Sequence, residues 1–264
     1  MSVNGHKKIT SDEIHLWFAF PDEIEDESLL EQYRLLLSPD ETERHQRFYF
    51  PKHRHQFLVA HALVRTMLSR FSGTAPEKLR FVKNRYGRPE IEAAEASPPI
   101  RFNLTHTDGL IACAVALNHD VGVDVEDMER KAITPGLAER FFSGPEVEDL
   151  SHLPKPEKQN RFFDYWTLKE SYIKARGMGL SIPLEQFSFH LKDNKPLRIS
   201  FDPRIEDDPD RWRFWLMRPT RRHKAALSVR SGGRTAYRLF SKKIVPLWKA
   251  HDFACNIIKH SNIL

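Results

Sequence analysis

The sequence predicts an α+β protein of two similar halves, each consisting of a helix packed on antiparallel strands. Two observations lead to this class. Residues 39–72 carry the apolar periodicity of helices and are followed by short alternating strands. Residues 162–176 show the helical periodicity again, and short alternating strands again follow. A chain of 264 residues is long enough for one large domain or two small ones.

The first half opens with helices and continues as strands. Residues 38–40, SPD, form a helix start, Pro51 divides the region into two helices, and Gly73 ends it. Strands are expected at 79–82, 100–105, 110–117 and 121–126. The Asn-His-Asp link at 118–120 is typical of a hairpin turn, so we expect the last two strands to pair.

The second half repeats this order after a polar, proline-containing connection at 127–160. A helix is expected at 162–176, and it is followed by four alternating segments. These are FSFHL at 187–191, LRISF at 197–201, WRFWLM at 212–217 and AALSVRS at 225–231. The predicted division is an N-terminal half at 1–127, a C-terminal half at 128–240 and a peripheral C-terminal tail at 241–264.

Composition limits the classes of function. Charged residues make up 29% of the chain and hydrophobic residues 40%, as in ordinary globular proteins. No stretch approaches the roughly 18 apolar residues of a membrane span, and the N-terminus is a poor signal peptide. Two cysteines, Cys113 and Cys255, provide no disulfide framework, so the cytoplasm is the expected compartment. A net charge of +5 favours an anionic partner.

A lysine–glutamate pair lies in the apolar stripe of the second long helix. At about 100° per residue, Glu170 falls between Trp166 and Phe163, and Lys174 follows Glu170 by one turn. Lys169 falls within the same stripe. A carboxylate in an apolar stripe loses hydration, which costs several kcal/mol without a partner. Either a buried structural ion pair or a bound cation or substrate would compensate.

The strand at 121–126 adds two further carboxylates. Asp124 and Glu126 alternate with valines and therefore point to one face, about 7 Å apart. Such a pair repels unless it is solvated or shares a cation. If the strand packs beside Glu170, three carboxylates converge, and oxygen-only ligands suit Mg²⁺. Lys174 would then offset charge on a transferred phosphoryl group.

Contacts for an anionic substrate are expected in three other places. Residues 44–55 form a dense basic stretch, and Arg88 lies in a Tyr-Gly-Arg-Pro turn that could orient it. Thr105 and His106 follow a strand, where a hydroxyl and an imidazole could meet phosphate. Each feature taken alone is more typical of a solvated basic helix, a surface arginine or a turn histidine than of a substrate contact.

Several segments in this order resemble the 4'-phosphopantetheinyl transferases, in particular the longer surfactin-synthetase-activator class. The segments are RFYFPKHRHQFLVAHALVR at 47–65, YGRP at 86–89, FNLTHTDG at 102–109, VGVDVE at 121–126, RFFS at 140–143 and WTLKESYIKARGMGL at 166–180. The resemblance covers roughly residues 35–190, and the segments are specific in combination.

The resemblance implies a fold and a reaction. Members transfer the phosphopantetheine arm of coenzyme A to a serine of an acyl or peptidyl carrier protein and release adenosine 3',5'-bisphosphate. The longer members are monomers of two similar halves related by pseudo-twofold symmetry, with the active site in the cleft between them. No nucleic-acid or membrane partner is expected.

The resemblance also implies roles for individual residues. Asp124, Glu126 and Glu170 match carboxylates that hold Mg²⁺, with Mn²⁺ as an alternative. Glu170 also matches the base for the carrier serine, and Lys174 matches the lysine that stabilises the leaving phosphate. The expected coenzyme A contacts are Arg47, Arg54, Arg88, Thr105, His106 and Lys169. Gln56 stands where many relatives have arginine, with Arg54 as the nearest substitute.

Other predictions concern partners and competing functions. The segment at 133–150, with Arg140 and the apolar pair Phe141 and Phe142, is the candidate docking surface for the carrier protein. A metal-dependent nuclease or phosphohydrolase would also use clustered carboxylates and a lysine. A non-catalytic nucleic-acid-binding module would explain the basic composition without requiring Asp124 or Glu170.

Overall fold

A computed structural model describes residues 7–92, 99–130, 136–233 and 236–261. These residues form two compact units. The first lies within Met1–Lys83, Pro89–Asn118 and Arg238–Ala254, and the second lies within Asn84–Arg88, His119–Tyr237 and Cys255–Leu264. Each unit combines helices with a sheet around its own apolar core, which confirms the predicted α+β class. No helix in the described ranges has the length and apolar character of a membrane span.

The helices are Glu27–Arg34 (α1), Pro39–Gln46 (α2), Pro51–Ser72 (α3), Leu137–Phe141 (α4), Gly144–His152 (α5) and Lys155–Arg176 (α6). The strands are Glu13–Ala19 (β1), Phe81–Lys83 (β2), Pro89–Ile91 (β3), Ile100–Thr107 (β4), Leu110–Leu117 (β5), Val121–Asp127 (β6), Phe187–His190 (β7), Arg198–Phe201 (β8), Trp212–Arg218 (β9), His223–Arg230 (β10), Arg238–Val245 (β11), Lys249–Asp252 (β12) and Asn256–His260 (β13).

The first unit packs α3 on a five-stranded sheet of order β12-β11-β1-β5-β4. Helix α2 begins with the predicted signal, a capping box formed by Ser38 and Glu41. Pro51 is the first residue of α3, and Gly73 ends that helix in the left-handed conformation at φ 73°. The division of this region into two helices is therefore confirmed.

The second unit packs α6 on a four-stranded sheet of order β13-β9-β10-β6. Helix α6 covers the predicted residues and begins seven residues earlier, at Lys155, and Gly177 ends it at φ 64°. Its buried aromatic side chains include Phe162, Phe163 and Tyr172. Burying each such side chain contributes about 1.5–3 kcal/mol before opposing terms, so this face anchors the helix firmly.

The predicted hairpin between β5 and β6 is wrong. Strand β5 pairs with β1 and β4 in the first unit, whereas β6 pairs antiparallel with β10 in the second. Asn118 adopts φ 63° in the link between them. The turn residues were identified correctly as a link, but the partner of β6 lies about a hundred residues later, where local turn chemistry carries no information.

The C-terminal residues and the N-terminal strand also differ from the sequence predictions. The segment expected to be a peripheral tail from 241 contributes β11, β12 and β13 to the two sheets. Strand β1, which was not predicted, is buried along all seven residues and pairs in parallel with β11. Parallel pairing means that the sheet of the first unit is mixed, although purely antiparallel strands were expected.

Strand β6 lies unusually close to α6, and a glycine makes this possible. A Cβ atom at Gly122 would lie 2.1 Å from the carbonyl oxygen of Ser171 and 2.3 Å from the amide nitrogen of Ala175. Both neighbours are backbone atoms, so no side-chain rotation would relieve the clash. Gly122 therefore sets the distance between the strand and the helix.

Replacing Gly122 with alanine should separate β6 from α6 and destabilise the second unit. We expect Gly122→Ala to lower the free energy of unfolding by about 1–3 kcal/mol or more, because an overpacked core must shift its backbone. Urea unfolding measures the loss. Gly144→Ala is the matched control, because its added Cβ would meet nothing within 4 Å. Equal midpoints for Gly122→Ala and the wild type would contradict this account.

Candidate active site

The predicted site residues fall into two groups, one in each compact unit. Arg47, Arg54, Thr105 and His106 lie in the first unit, and Arg88, Asp124, Glu126, Lys169, Glu170 and Lys174 lie in the second. Both acids of β6 therefore belong to the same unit as Glu170. The predicted boundary at residue 127 had placed them in opposite halves.

Strand β6 and helix α6 bring the acidic residues and the lysine together. Gly122, Asp124 and Glu126 share one face of the strand, and at Gly122 this face meets α6. Further along the strand, the Lys174 ammonium donates to Asp124 Oδ1 at 2.6 Å. Trp166 Nε1 donates to Glu126 Oε1 at 3.0 Å, so the strand runs towards the start of the helix.

Burial and mutual repulsion change the proton affinity of two carboxylates. Burial, reinforced by Asp124, raises the pKa of Glu126 to about 7, while Arg130, Trp166 and Lys174 act in the opposite direction. Burial and Asp124 also raise the pKa of Glu170, and Lys174 offsets part of that increase. The charge of Asp124 thus acts on both glutamates in the same direction.

The donor set suits a hard divalent cation, although the side chains are not arranged as a finished metal site. Within the described ranges, no three His, Cys, Asp or Glu side chains form a cluster that could hold a metal ion as placed. Asp124 forms an ion pair with Lys174. The chemistry of the set nevertheless fits Mg²⁺ or Mn²⁺, because all three donors are carboxylates and a cation would offset their repulsion.

Lys169 does not have the role that the sequence predicted. Its side chain is fully buried, and its ammonium donates to Glu146 Oε2 at 2.7 Å and to the carbonyl oxygens of Leu184 and Phe187 at 2.7 and 2.6 Å. The same ammonium lies 4.2 Å from the centroid of the Phe187 ring. Because its donors point into the core, the assignment of Lys169 as a coenzyme A contact is corrected to a buried structural ion pair.

Arg88 lies at the end of α6. Its guanidinium donates to the carbonyl oxygen of Ala175 at 2.9 Å, and a Cβ at Gly177 would lie 2.5 Å from Arg88 Cζ. Asn84 Nδ2 donates to the carbonyl oxygen of Gly177 at 3.0 Å. The turn thus caps the helix that carries Glu170, a contact that the Tyr-Gly-Arg-Pro pattern did not predict. The coenzyme A role of Arg88 stays a prediction.

In the first unit, the start of α3 meets the end of β4. Gln56 donates to the carbonyl oxygen of Thr107, and Lys52 forms an ion pair with Asp108. Thr105 is buried and His106 is exposed at the same end of the strand. Gln56 stands where many relatives have arginine. Its hydrogen bond links α3 to β4, the strand that carries Thr105 and His106.

The two arginines of the first unit that were predicted as coenzyme A contacts, Arg47 and Arg54, are exposed. Arg47 pairs with Glu43, and Arg54 donates to the carbonyl oxygen of Phe48 at 2.8 Å. Arg54 therefore contacts the backbone of the residue that follows Arg47. Their coenzyme A roles also stay predictions.

Comparison with known proteins decides the family. The model of the 4'-phosphopantetheinyl transferase superfamily matches residues 120–229, and the model of the 4'-phosphopantetheinyl transferase N-terminal domain matches residues 25–118. The 4'-phosphopantetheinyl transferase HetI of Nostoc sp. is 36% identical over 195 residues, which cover 74% of this chain and 81% of the relative. The chain belongs to the 4'-phosphopantetheinyl transferase superfamily.

Further relatives agree with this membership. The 4'-phosphopantetheinyl transferase Sfp of Bacillus subtilis is 34% identical over 169 residues, covering 64% of this chain and 73% of the relative. The holo-[acyl-carrier-protein] synthase of Thermotoga maritima shares 23% identity at a TM-score of 0.34, covering 45% of this chain and 64% of that one. That structural likeness is too slight to support a conclusion. Family membership favours the transferase over the nuclease and the nucleic-acid-binding module.

Three residues around the candidate site were not predicted from the sequence. Trp166 and Arg130 both contact Glu126, and Gly122 sets the strand–helix distance. A signal for Trp166 was present, because it lies one turn before Glu170 on the same side of the helix. The roles of Arg130 and Gly122 depend on the packing of β6, which no local pattern encodes.

Removing Lys169 should unfold the second unit more readily without weakening coenzyme A binding. Lys169→Met leaves Glu146 charged and buried, so we expect a loss of about 3–5 kcal/mol in unfolding free energy. Arg204→Met is the control, because its ion pair with Asp202 is exposed and should contribute less than about 1 kcal/mol. A stable Lys169→Met variant with a raised KM for coenzyme A would instead support the coenzyme A contact that the sequence predicted for Lys169.

The raised pKa of Glu126 predicts a pH-dependent effect of neutralising it. Because the folded-state pKa is about 7 and the ordinary value 4.5, Glu126 favours the fold at low pH, and this contribution is lost as the pH rises from 4.5 through about 7. Glu126→Gln should therefore raise the unfolding free energy of the metal-free protein at about pH 8, by about 2–3 kcal/mol.

Urea unfolding at about pH 8 and about pH 4 measures this difference, which should nearly vanish at the lower pH. The exposed Glu157 at the start of α6 provides the control, Glu157→Gln. A Glu126→Gln protein that is less stable than the wild type at about pH 8 would refute the assigned pKa direction.

Proposed function

We propose that this protein transfers the 4'-phosphopantetheine arm of coenzyme A to a serine hydroxyl of an acyl or peptidyl carrier protein. One observation supports it above all. A single strand–helix pair carries Asp124, Glu126, Glu170 and Lys174, and Lys174 Nζ lies 2.6 Å from Asp124 Oδ1. These are the residues that the family resemblance assigned to the reaction. We further propose that the enzyme acts as a cytoplasmic monomer.

In this proposal each side chain has a distinct chemical part. The serine oxygen forms a bond to the pantetheine-side phosphorus, and the bond from that phosphorus to the bridging oxygen breaks, which releases adenosine 3',5'-bisphosphate. Glu170 accepts the serine proton, directly or through a water. Burial raises the pKa of its carboxyl above the ordinary value, which makes the carboxylate a stronger base. Lys174 stabilises the leaving phosphate as its charge develops.

The three carboxylates would hold the divalent cation. Asp124, Glu126 and Glu170 supply oxygen ligands, as Mg²⁺ prefers, and Mn²⁺ would fit the same donors. When bound, the cation supplies charge neutralisation on the diphosphate of coenzyme A. Lys174, which now contacts Asp124, has an ammonium that can move to the phosphate through rotation of its flexible stem. Arg47, Arg54, Arg88, Thr105 and His106 are the proposed contacts for the rest of coenzyme A.

Neutralising Glu170 should abolish transfer while the fold persists. We expect Glu170→Gln to lower kcat/KM by at least about 100-fold, because a base and a metal ligand are lost together. The assay combines coenzyme A, Mg²⁺ and a panel of apo carrier proteins, and intact mass reports the added arm. Glu157→Gln, on the exposed start of the same helix, should retain wild-type activity. Transfer by Glu170→Gln at a rate close to the wild type would remove the assignment.

The carrier protein is proposed to dock on helix α4 and the residues after it. Residues 133–135 of the predicted docking segment lie outside the described residues. Arg140 is exposed, and its guanidinium lies 5.0 Å from the centroid of the Phe141 ring. Carrier proteins are usually acidic, so a cation here would favour encounter.

Reversing the charge at Arg140 should therefore weaken the carrier interaction selectively. Arg140→Glu is expected to raise the KM for the carrier protein and leave the KM for coenzyme A unchanged, since only the docking charge is altered. Steady-state kinetics at low and high salt measure both values. Arg204→Glu, another exposed arginine of the second unit, is the control. The same carrier KM for Arg140→Glu and the control would exclude α4 as the docking surface.

A further inference from the structure

The carboxylate of Glu126 is held by two different donors. Trp166 Nε1 donates to Oε1 at 3.0 Å, and Arg130 donates to Oε2 at 3.3 Å. Glu126 is 8% exposed, so the orientation of its carboxylate is decided by these neighbours more than by bulk water. Arg130 has a side chain that is 69% exposed, whereas Trp166 is partly buried and packs against the apolar core of the second unit.

The indole of Trp166 is fixed on two sides by other aromatic rings. It stacks on Phe162 with centroids 5.9 Å apart and an interplanar angle of 11°. It also meets Phe141 of α4 edge-on, with centroids 5.7 Å apart and an angle of 86°. A ring packed in this way has few orientations available, so the direction of its N–H bond is determined by the packing.

A fixed N–H donor is what a metal-binding carboxylate requires. Ligating groups are usually oriented by a hydrogen bond to an atom that does not bind the metal, and losing that bond weakens metal affinity. The Trp166 bond favours the charged form of Glu126, which is the form that binds cations. It also engages one oxygen from the helix side and thereby limits rotation of the carboxylate.

We propose that Trp166 is a positioning residue, whose indole N–H orients the Glu126 carboxylate for the divalent cation. The inference rests on the proposed function, because it assumes that Glu126 is a metal ligand. Trp166 itself contacts neither coenzyme A nor the cation in this account. Phe162 and Phe141 act through it, since they hold the indole in place.

The test measures metal binding without any substrate. Mn²⁺ is titrated into the wild type and Trp166→Phe, and the free ion is followed by electron paramagnetic resonance. Phenylalanine keeps an aromatic ring but has no N–H, so we expect the dissociation constant for Mn²⁺ to rise by about 10-fold to 100-fold. Saturating Mn²⁺ should restore the kcat of Trp166→Phe towards the wild-type value. At low Mn²⁺, the kcat/KM of the variant should stay well below that of the wild type.

A matched tryptophan distinguishes positioning from general packing. Trp212 Nε1 donates to Asp207 Oδ2 at 3.0 Å in the same unit, and its indole is more deeply buried. Trp212→Phe therefore also loses an indole–carboxylate hydrogen bond, and it should lose stability while retaining wild-type affinity for Mn²⁺. Equal weakening of Mn²⁺ binding in both variants would overturn the proposal, because the effect would then be structural.

A second substitution protects the test against misfolding of Trp166→Phe. Benzothienylalanine introduced at position 166 keeps the shape of the bicyclic ring and replaces the N–H with sulfur. It should reproduce the weaker Mn²⁺ binding, and an unchanged dissociation constant would overturn the proposal. A wild type that binds no Mn²⁺ would also overturn it. Failure to modify any carrier protein, with the Mn²⁺ difference intact, would instead refute only the proposed function.

Discussion

The contact between β6 and α6 at Gly122 is the constraint on which the rest of the site depends. Without a side chain at this position, the strand approaches the backbone of Ser171 and Ala175 directly. Asp124 and Glu126, which share this face of the strand, therefore also lie against the helix, where they contact Lys174 and Trp166. A short glycine contact thereby places two acids of one element beside an acid and a lysine of another.

The close packing of β6 on α6 brings together carboxylates whose negative charge the neighbouring cationic side chains only partly offset. Asp124 has the ammonium of Lys174 beside it, yet the pKa values of Glu126 and Glu170 are both raised by burial and by the Asp124 charge. Lys169, one residue before Glu170, is balanced by Glu146 within the core. Lys169 and Glu170 are adjacent in one helix but differ in role, since Lys169 forms a buried ion pair in the core and Glu170 interacts with Asp124.

The sequence predicted those parts of the fold and site that depend on local chemistry. Capping residues located α2, Pro51 divided the helices, and Gly73 ended α3, because these signals act within a few residues. The acidic alternation of β6 likewise identified Asp124 and Glu126. Non-local pairing was missed, since neither the partnership of β6 with β10 nor the parallel pairing of β1 with β11 leaves a local pattern.

The helical periodicity also could not show that Lys169 and Glu170 have different environments. Both lie in the apolar stripe, and only the position of Glu146 on α5 shows which charge is neutralised inside the core. Arg88 illustrates the same limit, because its contact with the end of α6 depends on a turn far away in sequence. Long-range packing decides which charged residues are structural.

We propose that β6 and α6 together form one divalent-cation site. Crystals of the protein soaked with Mn²⁺ and coenzyme A, with data collected for anomalous scattering, test it most directly. The account predicts one strong anomalous peak within coordinating distance of carboxylate oxygens from Asp124, Glu126 and Glu170, with Lys174 moved from Asp124 to the diphosphate. A peak bound elsewhere, with Lys174 still on Asp124, would contradict it.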